Sequence, residues 1–429
     1  MYRSPPGGFD CFCPSRMNKD KSEEDDMMNV AVLGYGTVGS GVVEVIERNN
    51  EQVSSKAGDE MHVKYILDLR DFPGDPYESL VVHDFNVILE DPDVKIVCEV
   101  MGGVGAAYQF TRKCLEAGKS VCTSNKELVA KHGAELLALA RENNCSYLFE
   151  ASVGGGIPII RPINKALTAE KLEMISAILN GTTNYILTRM EREGVGYEET
   201  LKQAQELGYA ERNPEADVEG YDACRKIAIL SSLMVGKNVD SEKIYTEGIT
   251  KITPADFAFA KAAGRTIKLL ANASADDQDR VQAYVAPALV PLEHPLAMVN
   301  DVFNGVFVTG NMVGDVMFYG RGAGKLPTAS AVVSDVVDCA RHVGRTSIVC
   351  LWEPVEAKLL SIDTCCKAFF LRCSAEAKAQ LTEVFPGGTF LSAEGVDEIG
   401  YITPVMEEQE FAKKSAALGD ALHNRIRLA

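Results

Sequence analysis

The stretch NVAVLGYGTVGSGVVEVIERN, residues 29–49, decides the fold expected for the first part of this chain. A short apolar run, Asn29 to Leu33, leads into the glycine turn GYGTVG and then into a stretch with helical spacing. Gly34 suits the tight turn, Gly36 lets a phosphate approach the backbone, and Gly39 allows close helix packing. The pattern predicts strand, turn and helix, with a dinucleotide pyrophosphate at the helix N-terminus; a purely structural turn is the alternative.

Repeated strand and helix signals follow this turn. Strands are predicted over His62–Leu69, Ile96–Met101 and Ser120–Cys122, with a helix over Tyr108–Gly118. Such winding predicts an α/β fold with a Rossmann dinucleotide-binding domain over residues 29–155. Ligands bind at the carboxyl ends of its strands, so we expect the cofactor to contact Gly34, Gly36, Thr37, Val38, Gly39, Arg70, Gly102, Ser124 and Lys126.

The second strand does not decide between the two nicotinamide dinucleotides. Asp68 could accept a hydrogen bond from a ribose 2′-hydroxyl, whereas Arg70 could hold a 2′-phosphate, so NAD and NADP both stay open. Lys126 follows the strand that ends at Cys122 and begins a helix. A positive charge there opposes the helix dipole, which favours a functional role over a solvated lysine.

Composition excludes several classes of function. The 429 residues are enough for two or three domains, and 46% apolar with 24% charged residues is typical of globular proteins. A net charge of −18 argues against nucleic acid or anionic membrane as partners, and there is no run of 18 apolar residues. Residues 1–28 lack a secretory signal and predict a disordered tail, so a cytoplasmic location is expected. The twelve cysteines and six histidines show no zinc spacing.

The segment ERNPEADVEGYDACRK, residues 211–226, carries the densest charge pattern. Asp222 and Lys226 are one helical turn apart on the same face of a helix predicted to end at Gly236. Exposed acid and lysine pairs of this kind are common, so a solvated helix face is the alternative. A strand over Leu172–Leu179 ends in NGTTN, where Thr182 or Thr183 could cap a helix from Tyr185 and form a polar pocket.

Five ordered motifs extend the pattern over residues 29 to about 345, and together they are similar to the homoserine dehydrogenase family. The motifs are TSNKELVA (123–130), EASVGGGIP (150–158), LNGTTNYIL (179–187), GYAERNPEADVEGYDACRKIAIL (208–230) and GRGAGKLPTASAVVSDVV (320–337). The resemblance implies NAD(P)H-dependent, reversible reduction of aspartate semialdehyde to homoserine, in threonine and methionine biosynthesis. Residues alone indicate an NAD(P)-dependent oxidoreductase.

The resemblance also implies roles for individual residues. Lys226 matches the catalytic lysine, which exchanges the hydroxyl proton, with Asp222 orienting it and Lys126 on the cofactor side. Two neighbouring ammonium groups should each lower the pKa of the other. The expected substrate-binding residues are Glu211, Asp217, Tyr209, Gly181 and Thr182, with Glu211 matching the family's partner for the substrate ammonium. Gly324 is expected beside the cofactor. Glu215 and Glu219 are expected in solvent.

A monovalent cation, Na⁺ or K⁺, is implied at Glu150, Val153, Gly155 and Ile157, mostly through carbonyl oxygens; an interdomain hinge is the alternative. Residues 156–320 are expected to form an α+β catalytic and dimerisation domain with a mixed sheet shared in a homodimer; a higher homo-oligomer stays open. Residues 321–345 should return as a helix to the nucleotide domain.

Residues 346–429 resemble an ACT domain in element order, so an ACT-like α+β domain is expected. Strands are predicted over Lys367–Cys373, Thr389–Ala393 and Glu398–Thr403, with a long final helix from Glu407. The predicted elements are thus one strand short of an ACT domain, and Cys373 to Glu376 replace the signature turn of that family. Binding of an amino-acid effector such as threonine and a purely oligomerising role both stay open.

Two other functions compete with this interpretation. A semialdehyde dehydrogenase needs a thiolate beside a base, and Cys224 is the one nearby thiol in this sequence, without a histidine partner. A nucleotide-sensing module without catalysis is the other, and the intact Glu211, Asp222 and Lys226 argue against it.

Overall fold

The computed structural model describes residues 27–347 and 350–429, so the predicted tail lies almost wholly outside the described residues. The strands are β1 Met27–Leu33, β2 Glu60–Leu67, β3 Val81–Val82, β4 Val94–Glu99, β5 Ser120–Thr123, β6 Tyr147–Leu148, β7 Leu172–Ile178, β8 Lys237–Asn238, β9 Tyr245–Thr246, β10 Arg265–Ala275, β11 Val281–Pro291, β12 Phe303–Gly310, β13 Gly314–Arg321, β14 Glu353–Glu356, β15 Cys366–Lys367, β16 Phe369–Cys373, β17 Thr389–Leu391, β18 Ile399–Ile402, β19 Met406–Glu407 and β20 Leu422–Leu428. The helices are α1 Thr37–Arg48, α2 Asn50–Ala57, α3 Phe85–Glu90, α4 Gly105–Glu116, α5 Lys126–Glu142, α6 Gly181–Glu193, α7 Tyr197–Glu206, α8 Glu215–Val218, α9 Tyr221–Val235, α10 Pro254–Ala262, α11 Lys325–Ala340, α12 Lys378–Val384 and α13 Glu408–Ser415. None of the helices in these ranges is long and apolar enough to cross a membrane.

Strands β1 to β6 form one parallel sheet in the order β3-β2-β1-β4-β5-β6. This is the strand order of a Rossmann fold, so the predicted Rossmann-type sheet is confirmed. In this fold the ligand crevice lies between β1 and β4, where the strand order reverses. Strand β1 begins two residues before the predicted start, because Met27 and Met28 pair with Glu60 and Met61 of β2.

A second, mixed sheet has the order β13-β12-β7-β10-β11-β20-β16-β18-β17, with β9 paired to β11. The predicted mixed sheet is thus confirmed, and helices α6, α9 and α10 pack on it. Helix α11 then returns to α1 of the first sheet. The contact is close, since a Cβ on Gly41 would lie 2.9 Å from the Lys325 carbonyl oxygen.

The end of the chain differs from the prediction. The long final helix expected from Glu407 is wrong: α13 ends at Ser415, and after an irregular turn the chain runs as strand β20. Gly419, at φ +50° and ψ −134°, breaks the helical path that the surrounding alanine and leucine residues favour. The region is therefore not one strand short.

Strand β20 joins the two halves of the mixed sheet. It runs parallel to β11, with Arg427 opposite Ala288, and antiparallel to β16, with Arg425 opposite Leu371. The carboxyl-terminal strands therefore belong to the same mixed sheet as β7 to β13. Ile426, only 1% exposed, belongs to the main hydrophobic core of the molecule.

We expect Ile426→Ala to destabilise the whole chain. Truncating a buried isoleucine costs about 2–5 kcal/mol through lost burial and a residual cavity. Val405, also in the carboxyl-terminal region but 68% exposed, supplies the matched control Val405→Ala. Thermal unfolding followed by circular dichroism should give a clearly lower Tm for the first variant alone; equal Tm values for both would contradict this packing.

Candidate active site

The glycine turn borders a cavity of about 540 Å³ that is also lined by Gly102 and Arg70. Gly34 has φ +96°, a conformation that other residues rarely adopt, and Gly36 has no neighbour within 4 Å of an added Cβ. A Cβ on Gly39 would lie 1.9 Å from the Gly34 carbonyl oxygen, so α1 can begin this close to the turn only with glycine there. The open backbone and free N–H groups at the start of α1 fit a pyrophosphate.

Asp68 and Arg70, the two residues that left the choice between NAD and NADP undecided, form an ion pair with each other. The Arg70 Nε lies 2.9 Å from Asp68 Oδ1, and Asp68 Oδ2 accepts the Tyr35 backbone N–H at 2.8 Å. These hydrogen bonds hold the pKa of Asp68 well below its usual range. Arg70 is 62% exposed, and His83 lines the same cavity.

A second cavity, of about 530 Å³, is lined by residues from the loops and helices that adjoin both sheets. Most of the predicted site residues line it, namely Val38, Ser124, Lys126, Gly155, Gly181, Thr182, Tyr209, Asp217, Asp222, Lys226 and Gly324. Glu211 does not: its side chain is exposed, and its carbonyl oxygen accepts a hydrogen bond from Gln205 at 3.1 Å. Arg321 and Ser152 line the cavity but were not predicted as site residues.

Asp222 stands between the two lysines of this cavity. Its Oδ2 lies 2.7 Å from the Lys226 Nζ and its Oδ1 lies 2.8 Å from the Lys126 Nζ. Lys226 also donates a hydrogen bond to the carbonyl oxygen of Leu179, at 2.8 Å. Leu179 is the last residue before the NGTT turn. Asp222 is 5% and Lys226 9% exposed, so the solvated-face alternative is excluded for this pair.

Burial and charge act differently on the two lysines. Burial, with help from the charge of Lys126, lowers the pKa of Lys226 in spite of Asp222. Burial also acts to lower the pKa of Lys126, but the attraction of Asp222 outweighs it and the pKa is raised. The effect of Lys226 on Lys126 stays a prediction, because the attraction of Asp222 decides the net direction there. The Asp222 carboxyl, although desolvated, has its pKa depressed by both lysines and stays ionised.

Asn180 organises the carboxylates, and the sequence prediction missed it. Its side-chain amide donates to Asp217 Oδ1 at 2.7 Å and to Asp222 Oδ2 at 2.9 Å, while its Oδ1 accepts the Thr183 N–H at 2.8 Å. Helix α6 therefore begins at Gly181, not Tyr185, and Asn180, not a threonine, is its cap. An asparagine directly after a strand and before a helix was the available signal.

Thr182 and Asp217 complete this wall of the cavity. The Thr182 hydroxyl donates to the Tyr209 carbonyl oxygen at 2.7 Å, which ties the start of α6 to the loop before α8. Burial raises the pKa of Asp217, while the hydrogen bond from Asn180 opposes the rise.

A buried network behind the cavity fixes Lys126. Glu99, at the end of β4, accepts the Met101 N–H at 2.9 Å and the Thr123 hydroxyl at 2.7 Å. Thr123 Oγ1 accepts the Asn125 N–H at 2.9 Å, and the Asn125 side chain caps α5, whose first residue is Lys126. Burial raises the pKa of Glu99 to about 7.

In the glycine-rich segment after β6, the Glu150 side chain is already hydrogen-bonded to the backbone. Its carboxylate accepts the backbone N–H groups of Ile159, Ile160 and Arg161 at 2.6–2.9 Å. Glu150 begins a one-turn 3-10 helix, and among the hydrogen bonds outside helices and strands in residues 27–347 and 350–429 none goes to the carbonyl oxygens of the other three predicted cation ligands, Val153, Gly155 and Ile157. These ranges also hold no cluster of three His, Cys, Asp or Glu side chains suited to a metal. A cation would have to be held by backbone oxygens.

Cys224 does not have the environment of a nucleophile. It is 4% exposed, its thiol donates to the Ser241 carbonyl oxygen at 3.3 Å, and burial raises its pKa. A thiolate mechanism needs the opposite shift, so the semialdehyde dehydrogenase alternative loses its nucleophile.

Comparison with known proteins agrees with this geometry. Residues 34–150 match the family model described as "Homoserine dehydrogenase, NAD binding domain", and residues 158–337 match the model described as "Homoserine dehydrogenase".

Individual relatives cover most of the chain. A homoserine dehydrogenase of Bacillus subtilis is 45% identical over 321 residues, 74% of this chain and 73% of its own length. The crystal structure of a homoserine dehydrogenase from Thiobacillus denitrificans has a TM-score of 0.85 at 34% identity, and the match covers 94% of this chain and 98% of that one. A hyperthermophilic archaeal homoserine dehydrogenase in complex with NADPH has a TM-score of 0.62 at 27% identity, covering 73% and 97%. With this coverage and identity, and with the lysine–aspartate–lysine cluster beside a dinucleotide turn, the chain belongs to the homoserine dehydrogenase family.

Proposed function

We propose that this enzyme reduces L-aspartate 4-semialdehyde to L-homoserine, reversibly, in threonine and methionine biosynthesis. The observation that carries the proposal is Lys226, buried in the cavity and bound to Asp222 at 2.7 Å. A bound nicotinamide supplies the hydride, and the chain must supply a proton to the alkoxide that forms.

Lys226 is the proposed proton donor. An ammonium has three N–H donors, and the Leu179 carbonyl and Asp222 occupy two of those of Lys226. The third N–H is left for the substrate oxygen. In homoserine oxidation the neutral amine would accept the hydroxyl proton, and its lowered pKa makes this form more accessible.

The proposed substrate contacts follow the charges of the cavity. Asp217, supported by Asn180, offers a carboxylate to the substrate ammonium. Thr182, Gly181 and Tyr209 line the same wall, and Arg321 brings a positive charge suited to the substrate carboxylate. Glu211 keeps its proposed ammonium-binding role from the resemblance alone, since its side chain lies outside the cavity lining.

The proposed cofactor is NADP(H), with NAD(H) as the weaker alternative. Asp68 already holds Arg70 and the Tyr35 N–H, while Arg70 is exposed at the cavity rim with His83 nearby. These two basic groups suit a 2′-phosphate. The archaeal relative in complex with NADPH supports the same choice.

A monovalent cation on the carbonyl oxygens of Glu150, Val153, Gly155 and Ile157 remains a proposal. Its support is the set of three carbonyl oxygens, those of Val153, Gly155 and Ile157, that accept no hydrogen bond outside helices and strands among the described residues and lie in a buried, glycine-rich turn. Hard cations bind such oxygens. Gly155 also packs against the Gly322 carbonyl, where a Cβ would lie at 2.4 Å, so an ion there would brace the loop that carries Gly324.

An ACT-like role for the carboxyl-terminal region is supported by its topology. Elements β16, α12, β17, β18, α13 and β20 give the order βαββαβ, with the sheet order β20-β16-β18-β17. This is the ferredoxin-like arrangement. Effector binding and an oligomerising role both fit it.

A homodimer is proposed through the far edge of the mixed sheet. Strand β13 is an edge strand that carries the exposed Tyr319, the exposed Met312 lies in the turn before it, and the exposed Met174 lines a groove with Met317 of β13. Such a patch is typical of a protein interface.

A cytoplasmic location is supported by the ten described cysteines, all free, because disulfides are rare in reducing compartments.

We expect Lys226→Ala to lower kcat by about 10²–10⁴-fold, the usual contribution of a positioned acid or base. Lys243→Ala, at an exposed ion pair, is the control and should keep normal turnover. Assays of homoserine oxidation and semialdehyde reduction with NADP(H) and NAD(H) test substrate, reaction and cofactor together. Full turnover by Lys226→Ala would refute the proton-transfer role.

Lys126→Ala should move the pH dependence of homoserine oxidation. The charge of Lys126 lowers the pKa of Lys226, so its removal raises that pKa. Because the base is the neutral amine, the rise of kcat with pH should shift to higher pH. An unmoved pH–rate profile would show that the two lysines are not coupled.

We expect Asn180→Ala to raise KM for homoserine and to lower Tm. The cap of α6 contributes about 0.5–2 kcal/mol, and Asp217 and Asp222 lose a shared donor. Thr253→Ala removes part of the capping box of α10 and serves as the control that should lower Tm alone. Unchanged KM in both variants would make Asn180 a structural cap only.

Arg70→Ala should raise KM for NADPH by about tenfold or more, since a charge-assisted hydrogen bond to phosphate is lost. KM for NADH should change less than about twofold by the same reasoning. Arg48→Ala, an exposed arginine on α1, is the control. An equal effect on both cofactors would place Arg70 away from the 2′-phosphate.

A further inference from the structure

The segment from Tyr245 to Ile249 lies between the carboxyl-terminal region and the catalytic cavity. On one side, the Glu247 carboxylate lies 2.7 Å from the Arg427 Nη1 and 3.3 Å from the Arg425 Nη2. Tyr245 donates its hydroxyl to the same Glu247 oxygen at 3.0 Å. Glu247 is therefore held by two arginines of β20.

The other side of this segment touches the backbone of α8. A Cβ on Gly248 would lie 2.3 Å from the Val218 carbonyl oxygen and 2.5 Å from the Glu219 Cα. The Ile249 N–H donates to that Val218 oxygen at 2.9 Å. The two shortest of these contacts are to backbone atoms, with the Glu219 Oε2 next at 2.7 Å, so a shift of residues 247–249 must be transmitted to α8.

Helix α8 carries one of the cavity carboxylates. Asp217 immediately precedes Val218, and Asp222 follows four residues after it. Asn180 joins both carboxylates. Gly220 packs against the same segment, where its Cβ would lie 3.1 Å from the Thr246 Cγ2.

We propose that Glu247 is a positioning residue for substrate binding, through which Arg427 and Arg425 of the last strand hold Asp217 in place. The inference rests on the proposed role of Asp217 toward the substrate ammonium. The carboxyl-terminal region is then part of the catalytic support.

Arg427 suits this task because it is fixed from its own side. It is 1% exposed, its Nε lies 3.0 Å from Glu408 Oε2, and its guanidinium lies 5.0 Å from the centre of the Tyr245 ring. Held between Glu408 and Glu247, it has little freedom to follow a displaced segment.

A second ion pair, between the carboxyl-terminal region and α10 of the preceding domain, supplies a control. Arg372 of β16 lies 2.9 Å from Asp256 of α10, which is fully buried. Neither residue lines the catalytic cavity. Weakening this pair loosens the same interface without reaching Asp217.

The test measures kcat, KM for homoserine, KM for NADP⁺ and Tm in the full-length enzyme. Glu247→Gln keeps the side-chain shape but removes its charge, and Gly248→Ala pushes on Val218 without touching any ion pair. Both should raise KM for homoserine about tenfold, as expected from misplacing a binding group, with KM for NADP⁺ within about twofold. Arg372→Lys should lower Tm and leave both KM values unchanged.

Asp217→Asn, measured in parallel, separates the two levels of the argument. If it raises KM for homoserine while Glu247→Gln and Gly248→Ala lower only Tm, the positioning role is overturned and the proposed role of Asp217 stands. If Asp217→Asn itself leaves KM unchanged, the premise fails and the positioning role fails with it. Should Gly248→Ala not fold, Glu247→Gln alone decides.

Discussion

The site depends on one buried carboxylate, that of Asp222, shared by two lysines from different parts of the fold. A desolvated carboxylate without partners would be very unfavourable. Lys226 at 2.7 Å, Lys126 at 2.8 Å and the Asn180 amide at 2.9 Å make this one stable. Lys126 begins α5 behind the parallel sheet, whereas Lys226 lies on α9 of the mixed sheet. The ion cluster therefore links a helix of the parallel-sheet unit to a helix of the mixed-sheet unit at the second cavity.

Sharing one carboxylate also gives the two lysines different chemistry. Burial acts to lower the pKa of Lys126, but the attraction of Asp222, with that of Asp217, outweighs it and the lysine stays charged. Lys226 is almost fully buried, and desolvation together with the charge of Lys126 lowers its pKa. One lysine is thus suited to holding charge and the other to exchanging a proton. The helix-start position of Lys126, which opposes the helix dipole, is compensated by the same Asp222.

The features that could be predicted from sequence are those set by short-range spacing. The glycine turn, the strand and helix alternation, and the one-turn separation of Asp222 and Lys226 all depend on neighbours along the chain. Asn180 and Glu99 were missed because their role comes from partners that the fold brings near, such as Asp217 and Thr123. The final strand was missed because local alanine and leucine favour a helix, whereas pairing with β11 and β16 decides the outcome. Tertiary pairing overrides a weak helical preference.

The carboxyl-terminal region makes the catalytic sheet depend on the last residues of the chain. Arg427 and Glu247 are 180 positions apart, and their contact closes a loop that includes β10 to β19. Loop-closure entropy grows only slowly with length, so one well-buried strand can offset it. Because β20 lies inside the mixed sheet and not at its edge, it cannot leave without exposing the edges of β11 and β16. A ligand or partner that acts on this region must therefore work by small shifts within a closed sheet. Backbone contacts such as that between Gly248 and Val218 transmit small shifts better than flexible side chains do, because neither partner can change rotamer.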